Sequence, residues 1–169
     1  MPGSLSRLTA KVTASLRRRR AADTGTATGA ASGQLSSPDD HADTGGIDVS
    51  YSPRANGTAD PGEVVWTWVP YEEDASQGKD RPVLVIGTSG KQLAVIPLSS
   101  KDHADRRDAD EWVDLGRGMW DSQFRESYAH AERLMLVDPS AIRREGSSVD
   151  QAAFNRVILK VGDLHHWAT

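Results

Sequence analysis

All five tryptophans (Trp66, Trp68, Trp112, Trp120 and Trp167) and both phenylalanines of this 169-residue chain lie beyond residue 61. Aromatic side chains carry a large share of any small core, so this asymmetry fixes where a fold can form. Residues 21–60 are mostly Ala, Gly, Ser, Thr and Asp, and only Leu35, Ile47, Val49 and Tyr51 offer much side chain to bury. That stretch reads as a disordered linker. Residues 61–169 are left to form one domain, in keeping with a length that suits a single core. Charge divides at the same point: residues 1–60 carry 7 basic and 6 acidic groups, whereas residues 61–169 carry 13 and 18. The folding part is the acidic part.

Residues 1–20 differ again. Leu5, Leu8, Val12 and Leu16 recur at helical spacing, and Arg17, Arg18, Arg19 and Arg20 close the run. This predicts a short basic amphipathic helix, suited to an anionic membrane surface, to RNA or to an acidic partner, or serving only as a solubilising tail. Lys11 interrupts the apolar positions that a secretory signal requires, so a cytoplasmic location is expected. No apolar run approaches the ~18 residues of a membrane-spanning helix. The absence of cysteine removes disulfides, thiolate metal sites and thiol nucleophiles, which leaves hydroxyl, carboxylate, imidazole and guanidinium groups for any chemistry. A net charge of −4 confines any nucleic-acid contact to a local basic patch.

Within the domain, residues 63–69 (EVVWTWV) form a Val- and Trp-rich strand with both faces buried, stopped by Pro70. Residues 82–86 (PVLVI) and 93–98 (LAVIPL) flank a turn over 87–91 and predict a hairpin. Further strands are expected over 111–115 and 128–137. The period then changes: Phe154, Val157, Ile158, Val161 and Leu164 mark the buried stripe of a helix. Asp150 is its predicted N-cap, and Val149 with Phe154 forms a hydrophobic staple. The fold class is therefore α+β and mainly β, a small antiparallel barrel closed on one side by a C-terminal helix.

Phosphate-binding glycine patterns, paired metal-ligand spacings and nucleophile elbows are missing from the sequence, so neither a metal nor a cofactor is expected. His165 and His166 are adjacent, which on a helix turns them away from any shared ion. Residues 101–111 (KDHADRRDADE), His103 included, read as a solvated loop. More informative is Arg81 at the mouth of a strand. Pro82 biases it to an extended backbone, so its guanidinium projects from a defined point. Two readings remain: a pre-aimed phosphate ligand, or a surface pair with Asp80, Glu73 or Asp74. Trp66 and Trp68 share one strand face and are expected to pack in the core. Trp120, in a glycine-rich turn after Gly116 and Gly118, is expected to stand exposed.

The segments Gly62-Glu63-Val64-Val65-Trp66, Arg81-Pro82-Val83-Leu84-Val85-Ile86 and Pro97-Leu98-Ser99-Ser100 resemble the PemK/MazF toxin family in order and spacing, and the likeness extends over about residues 61–164. The resemblance implies an SH3-like barrel with an appended helix, and a homodimeric toxin of a type II toxin–antitoxin system. It further implies metal-independent, sequence-specific cleavage of single-stranded RNA, and neutralisation by a partner antitoxin. Carried over by position, Arg81 matches the family's arginine before proline, and Ser99 the hydroxyl residue ending the next strand. These two would be catalytic, with the ribose 2′-OH attacking its own phosphate. Gln77, Lys79, Ser100, Lys101 and Trp120 are expected around them as RNA-binding residues. Asp80 before the arginine and the acidic loop of Glu72, Glu73 and Asp74 depart from a basic RNA path. The competing expectation is a barrel that binds nucleic acid or protein without cleaving, because relatives of the fold include a gyrase poison and toxins can degenerate.

Overall fold

The computed structural model describes residues 46–167. The helix expected over 1–20, and the linker as far as residue 45, lie outside the described residues. Eight strands and one helix follow in order: β1 (Asp48–Val49), β2 (Glu63–Pro70), β3 (Gly78–Ser89), β4 (Gln92–Ser99), β5 (Trp112–Arg117), β6 (Glu126–His130), β7 (Met135–Val137), β8 (Arg144–Ser148) and α1 (Gln151–Leu164). Every pairing is antiparallel, with the order β5-β6-β4-β3-β2-β8, β1 added to β3 and β7 to β4. The sheet curls into a half-barrel with α1 against it.

The apolar runs of β2, β3 and β4 are continuous because both of their faces are covered. Alternate residues enter two cores: Val64, Leu84, Ile86, Ile96 and Leu98 pack with Phe154, Val157 and Val161 of α1, while Val65, Val69, Val83, Val85 and Val95 pack with Met135 and Val137. A slip of one residue would exchange the two sets, so the register is strongly specified. Asp150 caps α1 by accepting from the Ala153 N–H at 2.7 Å, and Val149 and Phe154 are both buried at its start.

Three features differ from the sequence reading. Residues 128–137 are two strands instead of one: a turn at Glu132 sends β6 to the end of β4 and β7 to its beginning. β8 has no apolar run; it is held through pairing with β2, which a hydrophobic pattern does not report. The ordered domain also begins before residue 61. Residues 46–60 form a strap in which β1 adds to β3, the Tyr51 hydroxyl donates to the Val149 carbonyl at 2.8 Å, and the Tyr51 ring packs on Phe154 with centroids 5.2 Å apart. Ile47, Val49 and Tyr51 together pack this polar segment against the helix-side core.

The strap approaches β3 so closely at Gly87 that a Cβ there would collide with the Asp48 carbonyl oxygen. Gly87→Ala is expected to lower stability by about 1–3 kcal/mol, the usual penalty of overpacking. Urea unfolding at neutral pH measures it; an unchanged midpoint would mean that the strap does not pack on β3 in solution.

Candidate active-site groove

The β3–β4 pairing ends with Val83 opposite Pro97, which has no N–H to continue the ladder. Extending the same register two residues places Ser99 opposite Arg81. Both line a groove of about 570 Å³, bounded by the loop over residues 71–77, the mouth of β3, the end of β4 and the loop over residues 100–111. Arg81 is half-buried, and its Nε is buried without a hydrogen-bond partner. It makes no ion pair among the described residues. Asp80, which also lines the groove, pairs with Arg143 at 3.3 Å instead. The expected surface pairing of Arg81 with Asp80, Glu73 or Asp74 is therefore not what the structure contains.

Two of the three acids of the loop, Glu72 and Asp74, are engaged elsewhere. The Asp74 carboxylate accepts from the Ser76 N–H at 3.0 Å, from the Ser76 hydroxyl at 2.6 Å and from the Gln77 amide at 3.0 Å, and the Ser76 bonds hold its carboxyl below the usual range. Glu72 lies 3.4 Å from His130 Nδ1 and 3.8 Å from Arg133 Nε, and Arg133 also donates to the Pro70 carbonyl. Lys79, Arg81 and Lys101 lie close enough that Arg81, then burial, then Lys101 push the Lys79 ammonium below its ordinary pKa. Such mutual repulsion between cations is relieved when an anion binds.

Ser99 is held by its neighbours. Its Oγ accepts from the Lys101 N–H at 3.1 Å and lies 3.1 Å from His103 Nε2. His103 Nδ1 is buried with no partner. An unpaired buried lone pair costs less than an orphaned buried N–H, which assigns the proton to Nε2 as the donor to Ser99. The Ser99 oxygen then accepts two bonds, and its own proton is left to point into the groove. His103 is buried, 6% exposed, and not part of a solvated loop as its charged surroundings suggest. It stacks on Trp112 with centroids 3.6 Å apart, and Trp112 stacks on His130 at 4.2 Å. Trp112 also donates to Asp108, which accepts from Arg106 at 3.0 Å. An imidazole beneath a charged loop gives no periodic signal; its spacing of four residues from Ser99 was the only clue.

Asp108, Glu111 and His130 could present ligand atoms within 4.8 Å of one another to a cation. All three are already satisfied, since His130 Nε2 lies 3.1 Å from Glu111 and Asp108 is held by Arg106 and Trp112.

The remaining predicted positions divide. Lys79, Ser100 and Lys101 line the groove and are exposed. Gln77 does not line it, because its amide is engaged with Asp74 in its own loop. Trp120 is not exposed: at 5% accessibility it joins the helix-side core and donates to Ser127 Oγ at 3.0 Å. Its ring lies over Gly118, where any Cβ would collide with it, so the glycine-rich turn folds the indole inward. Trp66 and Trp68, expected in the core, are half-buried, and Trp66 lines the groove while donating to the Trp120 carbonyl at 3.2 Å.

Residues 60–164 match the family model described as "PemK-like, MazF-like toxin of type II toxin-antitoxin system". Among solved structures, the chain is similar to a MazE-MazF structure from Deinococcus radiodurans (19% identity, TM-score 0.49, covering 70% of this chain and 100% of that one). It is also similar to an endoribonuclease in complex with its cognate antitoxin from a Mycobacterial species (15%, 0.46, 64% and 96%) and to the Mycobacterium tuberculosis toxin MazF-mt6 (12%, 0.44, 62% and 99%). No curated protein sequence matches the chain.

Burial first, then Arg106, push the His103 pKa below 6.5, with Asp108 opposing, His130 adding a lesser push and Asp102 a lesser opposition; Tyr128 meets the ring edge-on. Above pH ~6.5 the ring is neutral both folded and unfolded. Below it the unfolded chain takes up the proton more readily, so stability falls until the pH reaches the lower folded pKa. The urea midpoint of the wild type should decline from pH 7 toward pH 5, and more gently in His103→Gln. Parallel declines in the two proteins would show that His103 is not buried neutral.

Proposed function

Since the chain belongs to the PemK-like, MazF-like toxin family of type II toxin–antitoxin systems, we propose that it is a metal-independent endoribonuclease that cleaves single-stranded RNA at specific short sequences. The observation that carries this reading is that one groove is lined both by Arg81, which makes no ion pair among the described residues and whose Nε is buried without a partner, and by Ser99, whose Oγ is held by the Lys101 N–H and His103.

The reaction is attack of a ribose 2′-OH on the adjacent phosphorus: the O2′–P bond forms and the P–O5′ bond breaks, the 2′-hydroxyl proton passes to water and the departing 5′-oxygen takes one from water, leaving a 2′,3′-cyclic phosphate and a 5′-OH. Charge builds on the non-bridging oxygens as the phosphorus becomes five-coordinate. Arg81 donates to those oxygens from a half-buried position, where a guanidinium is worth more than in water. Its place at the strand mouth before Pro82 keeps it aimed without reorganisation. Ser99 donates its proton to a second oxygen, with His103 and the Lys101 N–H fixing the orientation of the hydroxyl. Lys79 and Lys101 draw the flanking phosphates into the groove. DNA lacks the nucleophile and is not cut.

The same reading extends to partners. A cognate antitoxin would neutralise the toxin, and a second copy of the chain would form a homodimer. The mass of the purified chain in solution tests the latter.

Incubation with a long single-stranded RNA in EDTA should release discrete fragments with 5′-OH ends and 2′,3′-cyclic phosphates. Arg81→Ala should lower kcat about 10²- to 10³-fold or more, the scale for loss of one transition-state donor. Ser99→Thr should retain activity that Ser99→Ala loses. Intact RNA with the wild type, or full activity in Arg81→Ala, would refute the assignment.

A further inference from the structure

The loop joining β5 to β6 carries the most exposed aromatic ring among the described residues. Phe124 is 52% exposed, and its backbone φ of 52° lies in the left-handed region that side chains with a Cβ rarely adopt. Neither burial nor backbone preference favours this arrangement. It is imposed by Asp121, whose carboxylate is only 8% exposed. Asp121 accepts from the Gln123 N–H at 2.9 Å and from Arg125 Nε at 2.7 Å, while its carbonyl accepts from the Phe124 N–H at 2.9 Å. The ring is held outward by a built anchor, and strain of this kind concentrates at ligand sites.

Phe124 borders a second pocket of about 330 Å³, at the small end of ligand cavities. Ser100 and Arg125 line both this pocket and the groove that holds Arg81, so the two are continuous. Their electrostatics differ. The groove gathers Lys79, Arg81 and Lys101, whereas in the second pocket Arg117 is paired with Glu126 at 3.6 Å and Arg125 with Asp121. Asp102 also lines the second pocket and pairs with no cation among the described residues, so this pocket does not select a phosphate. An exposed ring, the Tyr128 side chain and the Gln123 amide, which makes no hydrogen bond here, suit a flat uncharged ring with polar edges.

From this we propose that the pocket beside Phe124 is a nucleobase subsite, which takes an unpaired base of single-stranded RNA next to the nucleotide whose phosphate lies against Arg81. The base stacks on Phe124, and Gln123 meets its edge. The proposal rests on the ribonuclease reading and adds to it the residue that anchors the strand.

The test uses the full chain and a fluorescent, uncleavable 2′-O-methyl copy of the RNA segment it cuts. Phe124→Ala should weaken binding about 5- to 100-fold, the range for loss of one stacked base, and raise KM with kcat nearly unchanged. Phe124→Tyr should restore binding. Phe124→Gly should unfold at higher urea than the wild type, because glycine accepts the left-handed backbone, yet bind as weakly as Phe124→Ala. One abasic position in the oligonucleotide should reproduce the loss in the wild type and add none in Phe124→Ala. Cleavage by the wild type with unaltered binding in Phe124→Ala would overturn the subsite alone. A shift in oligomeric state on Phe124→Ala would identify a protein contact and also overturn it. Phe124-dependent binding without cleavage would sustain the subsite and remove the nuclease reading, while a wild type that neither binds nor cleaves would remove both.

Discussion

The register of one hairpin governs which side chains meet in the groove. With Val83 opposite Pro97, Arg81 and Ser99 continue the same ladder past its last bond and arrive at the groove together. The register cannot drift, because both faces of β3 and β4 are packed and a shift would send each core's side chains into the other. The site thus inherits its geometry from the most heavily buried part of the fold. Pro97 acts twice: it ends the ladder for want of a donor, and the strands can then part to open the groove.

Most carboxylates around Arg81 are engaged by other groups, although Glu73, exposed at the groove, makes no ion pair among the described residues. Asp80 lines the groove but meets Arg143. Glu72 is drawn to His130 and Arg133, Asp108 to Arg106 and Trp112, and Asp74 to its own turn. A loop that looks repulsive to RNA by composition is in this way partly engaged, while Lys79, Arg81 and Lys101 stand close together in the same groove. Net charge describes the whole protein; the arrangement of partners describes the site.

This distinction marks how far the sequence can be read. The hairpin, the capped helix and the burial of both faces were legible because each follows from a local pattern: apolar continuity, a capping aspartate, a 3.6-residue stripe. That Arg81 and Ser99 would stand at neighbouring strand ends was legible from strand position, and both line one groove. What escaped depends on long-range contact. The 46–60 strap is held by β1 pairing with β3, by Ile47 and Val49 on the core, and by Tyr51 meeting Val149 and Phe154, nearly a hundred residues away. β8 is a strand by virtue of its neighbour. His103 is buried because Trp112, on another element, covers its face. Trp120 was misread for a related reason: glycines around an indole are compatible with an exposed turn, but they also make the space into which the ring can fold.

The fate of Trp120 and that of Phe124 are one problem with two solutions. Both sit on the short connection between β5 and β6, and hydrophobicity alone would bury both. Trp120 goes inward, where its N–H finds Ser127 and its ring completes the helix-side core. Asp121, the next residue, then reverses the chain by gathering the Gln123 N–H and the Arg125 guanidinium on one nearly buried carboxylate, and Arg125 holds that carboxyl below its usual pKa. Once that reversal is made, Phe124 has no inward direction left, and its backbone takes the left-handed angle the turn demands. Buried indole, buried carboxylate and exposed phenyl form a sequence of consequences, each fixed by the one before. The only member of the series that gains nothing from its own position is the ring at the surface, which is the reason to look for its partner outside the chain.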